Sequence, residues 1–336
     1  MTPRTQVQSK TFFEHLQNTP GLDLRDKRGK RHPMAVVLLE FTLALLCNRD
    51  GCLSSIHRHI VNHHGRVMEE VKLSLEKAVS RSQLPVVLCK VSLPAFEDLV
   101  FGFYGIELKD EEKQWFAADG KELRGSIAKG DTRGEVVVLA VRHSDRVVVG
   151  QEHHNGMKES EIPSVRILLD ESGLLGQKVS MDALHLNPDT LQAVQEAGGT
   201  YLVGLKGNQA EMLVEMECCA KLLRAQHKHS TCDKGHGRLD IRHYQCYDVR
   251  GAYIDKRWDE CGITTLVKAE RMRLEIKTGK QSAETALYLC NEDPQNLAQA
   301  KGLFNAVRNH WSVEAANHVR DKSLREDQLK TKKRSF

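Results

Sequence analysis

The sequence predicts an α/β fold in which a mixed sheet, interrupted by a β-leaning insertion, follows an all-helical N-terminal domain. Three observations carry this expectation. Residues 1–112 show helical apolar periodicity and only weak strand signals. From Trp115 to Lys206, short Val-rich runs alternate with helical stretches. Asp119 and Asp182 each close a predicted strand, and Glu314 lies on a predicted helix far downstream.

At 336 residues the chain has room for two domains, or for one domain with a large insertion. A hydrophobic content of 40% allows a real core, and a net charge of +4 permits a nucleic-acid partner without demanding one. The positive charge is unevenly placed. Arg25, Lys27, Arg28, Lys30, Arg31 and His32 form one run, and Lys330, Lys332, Lys333 and Arg334 form another. Taken alone, either run reads as a solvated face or tail. Nine cysteines without disulfide-framework spacing, and no signal peptide, point to a reducing cytoplasm. The longest apolar run, residues 34–47, contains Glu40 and is too short to span a bilayer, so no membrane role is expected. The chain has no phosphate-binding Gly-rich loop of the Gly-x4-Gly-Lys-Ser/Thr type, which argues against an ATP-driven mechanism and a nucleotide cofactor.

Taken in order, residues 34–47 read as a buried helix. Residues 55–79 read as a second helix from the rhythm of Ile56, Ile60, Val67, Val71 and Leu75. His57, His59, His63 and His64 on it read as a solvated or DNA-facing surface rather than a metal face. Asn48-Arg49-Asp50-Gly51 is a loop signal, and Pro85 and Pro94 are breaks. Residues 115–119 form a short strand that ends in Asp-Gly, a turn signal. Residues 135–142 and 146–152 pair as a hairpin around His143-Ser144-Asp145. A helix over 159–176, a strand over 178–183, a helix over 188–198 opened by Pro188 and a strand over 200–206 complete the series.

The order β-β-β-α-β-α-β is that of a ribonuclease-H-like core, in which the fourth strand lies beside the first and parallel to it. That arrangement makes Asp119 and Asp182 neighbours at the carboxyl ends of parallel strands. Singly, Asp119 reads as a turn residue and Asp182 as a helix cap; together they read as a site. Residues 207–283 read as an insertion, polar over 221–242, with strand pieces at 245–249, 263–267 and 271–276. Residues 284–290 return to the sheet, and 294–308 and 308–325 read as helices. The expected domains are 1–112, helical; 113–206, first part of the core; 207–283, insertion; and 284–336, the last strand and the Glu-bearing helix.

In that last helix Trp311, Glu314, His318 and Asp321 share a face at 3.6 residues per turn, so Trp311 is expected to pack Glu314 down. Laid against the sheet, the helix would complete a cluster of three carboxylates. Hard oxygen ligands suit Mg2+ or Mn2+, and two such ions about 4 Å apart can drive an in-line phosphodiester displacement. A zinc site from Cys218, Cys219, Cys232, His236 and His243 lacks the paired spacing such sites need.

The blocks DGKELRGS (119–126), DALHLNP (182–188), YLVGLKGNQ (201–209), GHGRLDIR (235–242) and RNHWSVE with its downstream His, Asp and RED (308–327) resemble H-repeat-associated DDE transposases. These are ISAs-type enzymes of bacterial insertion sequences, in the wider IS-four-like group. Residues 24–46 are similar to the helical N-terminal domain that accompanies them. The resemblance covers nearly the whole chain. It implies a DNA transposase with Asp119, Asp182 and Glu314 as metal-binding triad, Mg2+ (or Mn2+) as cofactor, and a homodimer assembled on double-stranded DNA. Glu314-Ala315, His318-Val319 and Leu324 depart from the family pattern, and Val319 and Leu324 are expected to loosen the packing around Glu314. The chain stops soon after Glu314, so a shortened C-terminus is expected.

Arg124, Lys206, Arg308 and His310 lie near the acids in sequence or at the same sheet edge and are candidate phosphate contacts. Asn208 and Gln209 are candidates to hold the DNA backbone or a flipped base, and Arg238 to reach DNA from the insertion. Metal-dependent hydrolysis and strand transfer at element ends is the expected activity. The alternatives are a shortened remnant that only binds DNA, and a nuclease of the same fold.

Overall fold

The protein is described by a computed structural model over residues 10–28, 30–47, 52–106, 113–127, 130–132, 134–154, 161–323 and 325. It divides into two compact units, the first drawn mainly from residues 1–108 and the second from 109–318. The C-terminal basic run, Leu324 and the Asn48–Gly51 loop signal lie outside the described residues.

In the first unit, α1 (Phe12–Asn18) opens with a reciprocal cap between Thr11 and Glu14. It is followed by α2 (Met34–Cys47), α3 (Leu53–Glu70), α4 (Gln83–Leu88) and α5 (Leu93–Tyr104). Leu16, Val37, Leu38, Ile56, Ile60, Leu84 and Leu99 meet in one core. Helix α3 stops at Glu70, short of the predicted end at residue 79. The chain turns at Lys72, in the left-handed region at φ 55°, and folds back. This return places Val79 in the core and brings two carbonyls onto α3. His64 Nε2 lies 3.0 Å from the Leu75 carbonyl and His57 Nε2 3.0 Å from that of Val79. These two histidines are therefore structural, which corrects the solvated reading. His64 also pairs through Nδ1 with buried Glu40 at 2.6 Å. Burial pushes the Glu40 carboxyl up, and the histidine opposes that. Within the N-terminal basic run, Arg25 and Lys30 both pair with Asp23, at 2.8 and 2.9 Å, so they are not simply solvated.

In the second unit, β1 (Trp115–Glu122), β2 (Val136–Arg142) and β3 (Val148–His154) form an antiparallel meander. Next come α6 (Glu161–Glu171), β4 (Lys178–Met181), α7 (Pro188–Glu196), β5 (Thr200–Leu205) and α8 (Ala210–Leu222). The chain continues through β6 (His227–Gly235), β7 (Arg238–Asp248), β8 (Thr265–Glu275) and β9 (Gln281–Cys290), and ends with α9 (Leu297–Asn309) and α10 (Trp311–Lys322). Among the described residues these strands make one sheet in the order β3-β2-β1-β4-β5-β9-β8-β7-β6. Strand β4 is parallel to β1 and to β5, because a helix connects each to its predecessor. The order fits a ribonuclease-H-like core.

Two local expectations change. Strand β1 does not end in a turn at Asp119-Gly120; it runs on to Glu122, with Asp119 opposite Leu139 and Gly120 opposite Val138. The region after Lys206 is more regular than the short strand pieces expected of it. It starts with helix α8 and then adds three long antiparallel strands to the main sheet through β9. Its alternating pattern of half-buried and exposed residues in β6 reflects a ribbon with one covered face. Helix α9 covers that part of the sheet, with Ala300, Leu303, Phe304 and Val307 packed among Leu202, Tyr244, Val267 and Cys290.

One close approach fixes the entry to β5. A Cβ at Gly199 would lie 2.9 Å from the Gln177 carbonyl oxygen and closer still to that of Leu175. Both are backbone atoms and cannot swing aside. Gly199→Ala should therefore cost about 3 kcal/mol in a urea unfolding titration. A change below about 0.5 kcal/mol, the level of an ordinary surface substitution, would contradict this contact.

Candidate active site

The last parallel pair between β1 and β4 is Ala118 with Met181, so the next residues, Asp119 and Asp182, leave the ladder side by side. Strand β1 continues with β2 as partner, while β4 ends and the chain enters a tight turn at Ala183–His185. The Leu184 N–H donates to Asp182 Oδ1 at 2.9 Å, which pins the carboxylate at the head of that turn. Gly204 lets the turn lie close, since a Cβ there would sit 3.1 Å from the Ala183 nitrogen. Asn208 Nδ2 donates to the Ala183 carbonyl at 2.6 Å and Gln209 Nε2 to that of Leu186 at 3.2 Å. Asp182 is thus held from two sides.

Glu314 sits in the first turn of α10. Its neighbour Val313 is fully buried among Ala117, Val137, Leu139 and Val141, on the face of β1 and β2. With Val313 seated, Glu314 shares one cleft of about 260 Å3 with Asp119 and Asp182. The three predicted acids are brought together, from sites almost two hundred residues apart in sequence.

Their mutual influence is large. The Asp119 carboxyl is pushed up to about 7, first by burial and then by the negative charges of Asp182, Glu161 and Glu314. Such a cluster is poorly matched to a metal-free state at neutral pH. Among the described residues, no three His, Cys, Asp or Glu side chains converge on one cation position. The donor set nevertheless fits Mg2+ or Mn2+: the oxygens are hard, and Mg2+ keeps most of its waters while taking one or two carboxylates plus substrate phosphate.

Cations line the same cleft, together with Glu270 and with Glu284, which pairs with Arg271. Lys206 is exposed there, and Arg242, Arg271 and Arg308 project from β7, β8 and α9. Arg271 lies 4.3 Å over the ring of Trp311, which is 47% exposed. Trp311 therefore packs against this arginine and the cleft rim; Val313, not Trp311, anchors the helix beneath Glu314. Arg308 and Arg242 both reach Asp233, at 3.0 and 2.7 Å.

Residues 110–336, more than half of the chain, match the family described as the transposase DDE domain. The chain belongs to the DDE transposase family. Among relatives, it is 26% identical over 340 aligned positions to the H repeat-associated candidate transposase YhhI of Escherichia coli strain K12, covering 97% of this chain and 86% of that protein. It is 25% identical over 259 positions to the H repeat-associated candidate transposase YbfD of the same strain, covering 74% of this chain and 98% of that one. A candidate transposase from Escherichia coli O157:H7, YncI, is 28% identical over 219 positions, covering 63% of this chain and 55% of the relative.

Not all the candidate DNA contacts of this DDE transposase line the cleft. His310 is buried, with Nδ1 3.0 Å from the Ser180 hydroxyl, and burial pulls it down to about 4. It is neutral at pH 7 and cannot supply charge to a phosphate. The same hydroxyl lies 3.0 Å from His143 Nε2, so the pair of rings locks β4. Asn208 and Gln209 each donate an amide N–H to the turn that carries Asp182, and Gln209 Oε1 accepts from Arg257 at 2.8 Å. Arg124 follows β1 and Arg238 opens β7 at the far hairpin, and neither lines the cleft. Val319 is 52% exposed, so it is not a packing residue under Glu314. Arg242, Arg271, Glu161 and His185 were missed by sequence reasoning. Arg242 and His185 were within reach, inside the GHGRLDIR and DALHLNP blocks; Arg271 and Glu161 carry no local signal. No helix among the described residues is long and apolar enough to cross a membrane.

Proposed function

We propose that this family member is a DNA transposase that uses Mg2+ or Mn2+ to hydrolyse a phosphodiester at each end of its element and join the freed 3′-OH to target DNA. The observation that carries this reading is the Ala118–Met181 register, which sets Asp119 beside Asp182 with Glu314 across the same cleft. Asp119 and Asp182 would hold a shared cation and Glu314 would serve a second. When bound, the cations would supply Lewis acidity to the phosphoryl oxygens and steady the departing 3′ oxygen.

Water adds to phosphorus as hydroxide, the P–O3′ bond breaks, and the 3′ oxygen leaves with a proton. In the joining step that 3′ oxygen attacks a target phosphorus and displaces another 3′ oxygen. One phosphodiester is exchanged for another, so no nucleotide cofactor is required. Lys206, Arg242, Arg271 and Arg308 would seat the DNA backbone opposite the acids. The N-terminal helical region (1–112) would act as a DNA-binding domain, and the segment 207–283 as an insertion that extends the catalytic sheet. A homodimer on the two DNA ends, working in the cytoplasm, completes the proposal.

The test is incubation of the full chain with DNA carrying the inverted ends that flank its gene, with and without Mg2+. Nicks bearing 3′-OH groups and joined products, only with the cation, are expected. Binding without any cleavage in Mg2+ or Mn2+ would overturn the catalytic reading and leave a DNA-binding remnant. Cutting without joining would leave a nuclease of the same fold.

A further inference from the structure

A fourth carboxylate reaches the site from an element that plays no part in the triad. Glu161 lies in the first turn of α6, and its side chain covers the α-carbon of Gly120. A Cβ at Gly120 would be 2.5 Å from Glu161 Oε1 and 2.9 Å from Cδ. Gly120 is in mid-strand, opposite Val138, and is not among the positive-φ glycines. Glycine is therefore not needed there for a turn. What the position requires is the missing side chain, and the space next to Asp119 is filled by a carboxylate.

A second, independent observation points into the same space. His185 is completely buried, and neither ring nitrogen has a hydrogen-bond partner. Its Nε2 is 3.8 Å from Asp182 Oδ1 and 3.9 Å from Glu161 Oε1, too far for a hydrogen bond to either. A buried polar ring without a partner is costly unless something completes its surroundings.

We propose that Glu161 is a fourth cation-facing carboxylate, accepting from a water bound to the cation shared by Asp119 and Asp182, with His185 as the buried positioning residue between Glu161 and Asp182. This rests on reading Asp119 and Asp182 as a metal centre. An acid in a first helical turn also favours the helix through its dipole, but that role would not require a cleared strand position beside Asp119.

The experiment is Mn2+ binding to the full-length chain, without DNA, by titration calorimetry, with circular dichroism and melting curves as folding controls. Glu161→Gln should weaken Mn2+ by about tenfold, the scale seen when a metal site loses a supporting group. Gly120→Ala, which keeps the carboxylate but pushes it aside, should weaken Mn2+ in the same direction, and Glu161→Asp should recover part of the loss. If Glu161→Gln does not fold, Gly120→Ala decides. Wild-type affinity in both Glu161→Gln and Gly120→Ala, with binding lost in Asp182→Ala, would overturn the role of Glu161 alone. No Mn2+ binding by the wild-type chain, or none lost in Asp182→Ala, would instead sink the metal-centre reading itself.

Discussion

Asp182→Asn is expected to lower metal-dependent DNA cleavage on the order of 10³-fold or more, as loss of a principal electrostatic stabiliser does. The variant is a clean one. An asparagine oxygen still accepts from the Leu184 N–H, which is bonded to Asp182 Oδ1 at 2.9 Å, so the turn at Ala183–His185 should keep its form. Only the charge is lost. Asp119→Ala should fall by a similar factor, because it faces the same cleft from the neighbouring strand. DNA affinity without metal should be unchanged or tighter in both, since each substitution removes a negative charge opposite the phosphates. Single-turnover cleavage and a gel shift on the same DNA separate the two effects. Cleavage at the wild-type rate in either variant means that its carboxylate is not a metal ligand.

Asp119→Asn is expected to melt higher than the wild-type chain at pH 8 in the absence of divalent cations. The folded carboxyl titrates near 7 against an ordinary 3.8, so the native state binds more protons than the unfolded state between those values. The stability associated with this group is therefore fully present below about pH 4 and is lost as pH rises through 7. Each pH unit within that window removes up to about 1.4 kcal/mol. The asparagine has no such dependence. The two melting profiles should coincide near pH 4 and separate to a few kcal/mol above pH 7, on the order of 2–4 kcal/mol. Mg2+ should raise the wild-type melting temperature at pH 8 and leave the variant nearly unmoved. Superimposable curves at pH 8 without metal would show that burial and the neighbouring acids do not raise the Asp119 carboxyl.

Much of this site was legible from local pattern. The Val-rich runs of β2 and β3, the Pro188 helix start and the spacing of strands and helices were enough to place Asp119 beside Asp182. Glu314 was legible as a helical acid, but its placement depends on Val313, whose burial against β1 and β2 is a packing fact. Where reading failed, a local signal was overruled by tertiary contact. Asp-Gly at 119–120 is a strong turn signal, yet pairing with β2 carries the strand through it, and the glycine serves Glu161 instead. The apolar rhythm of 55–79 continues past Glu70, yet the chain folds back to meet His57 and His64. His310 looks like a surface polar group in sequence, and burial against Ser180 makes it a support; Asn208 stays exposed and still bonds the Ala183 carbonyl.

The chain by itself determined the strand and helix order, the parallel pairing that follows from each helical crossover, and the two aspartates that this pairing makes adjacent. Periodicity and connection length are local properties, and they survive in any context that buries the apolar face. Only the tertiary structure decided which further groups face those aspartates: Glu161 over Gly120, unpartnered His185, and the arginines of β7, β8 and α9. Their approach depends on side-chain packing between segments far apart in sequence, and no spacing along the chain encodes a distance across a cleft.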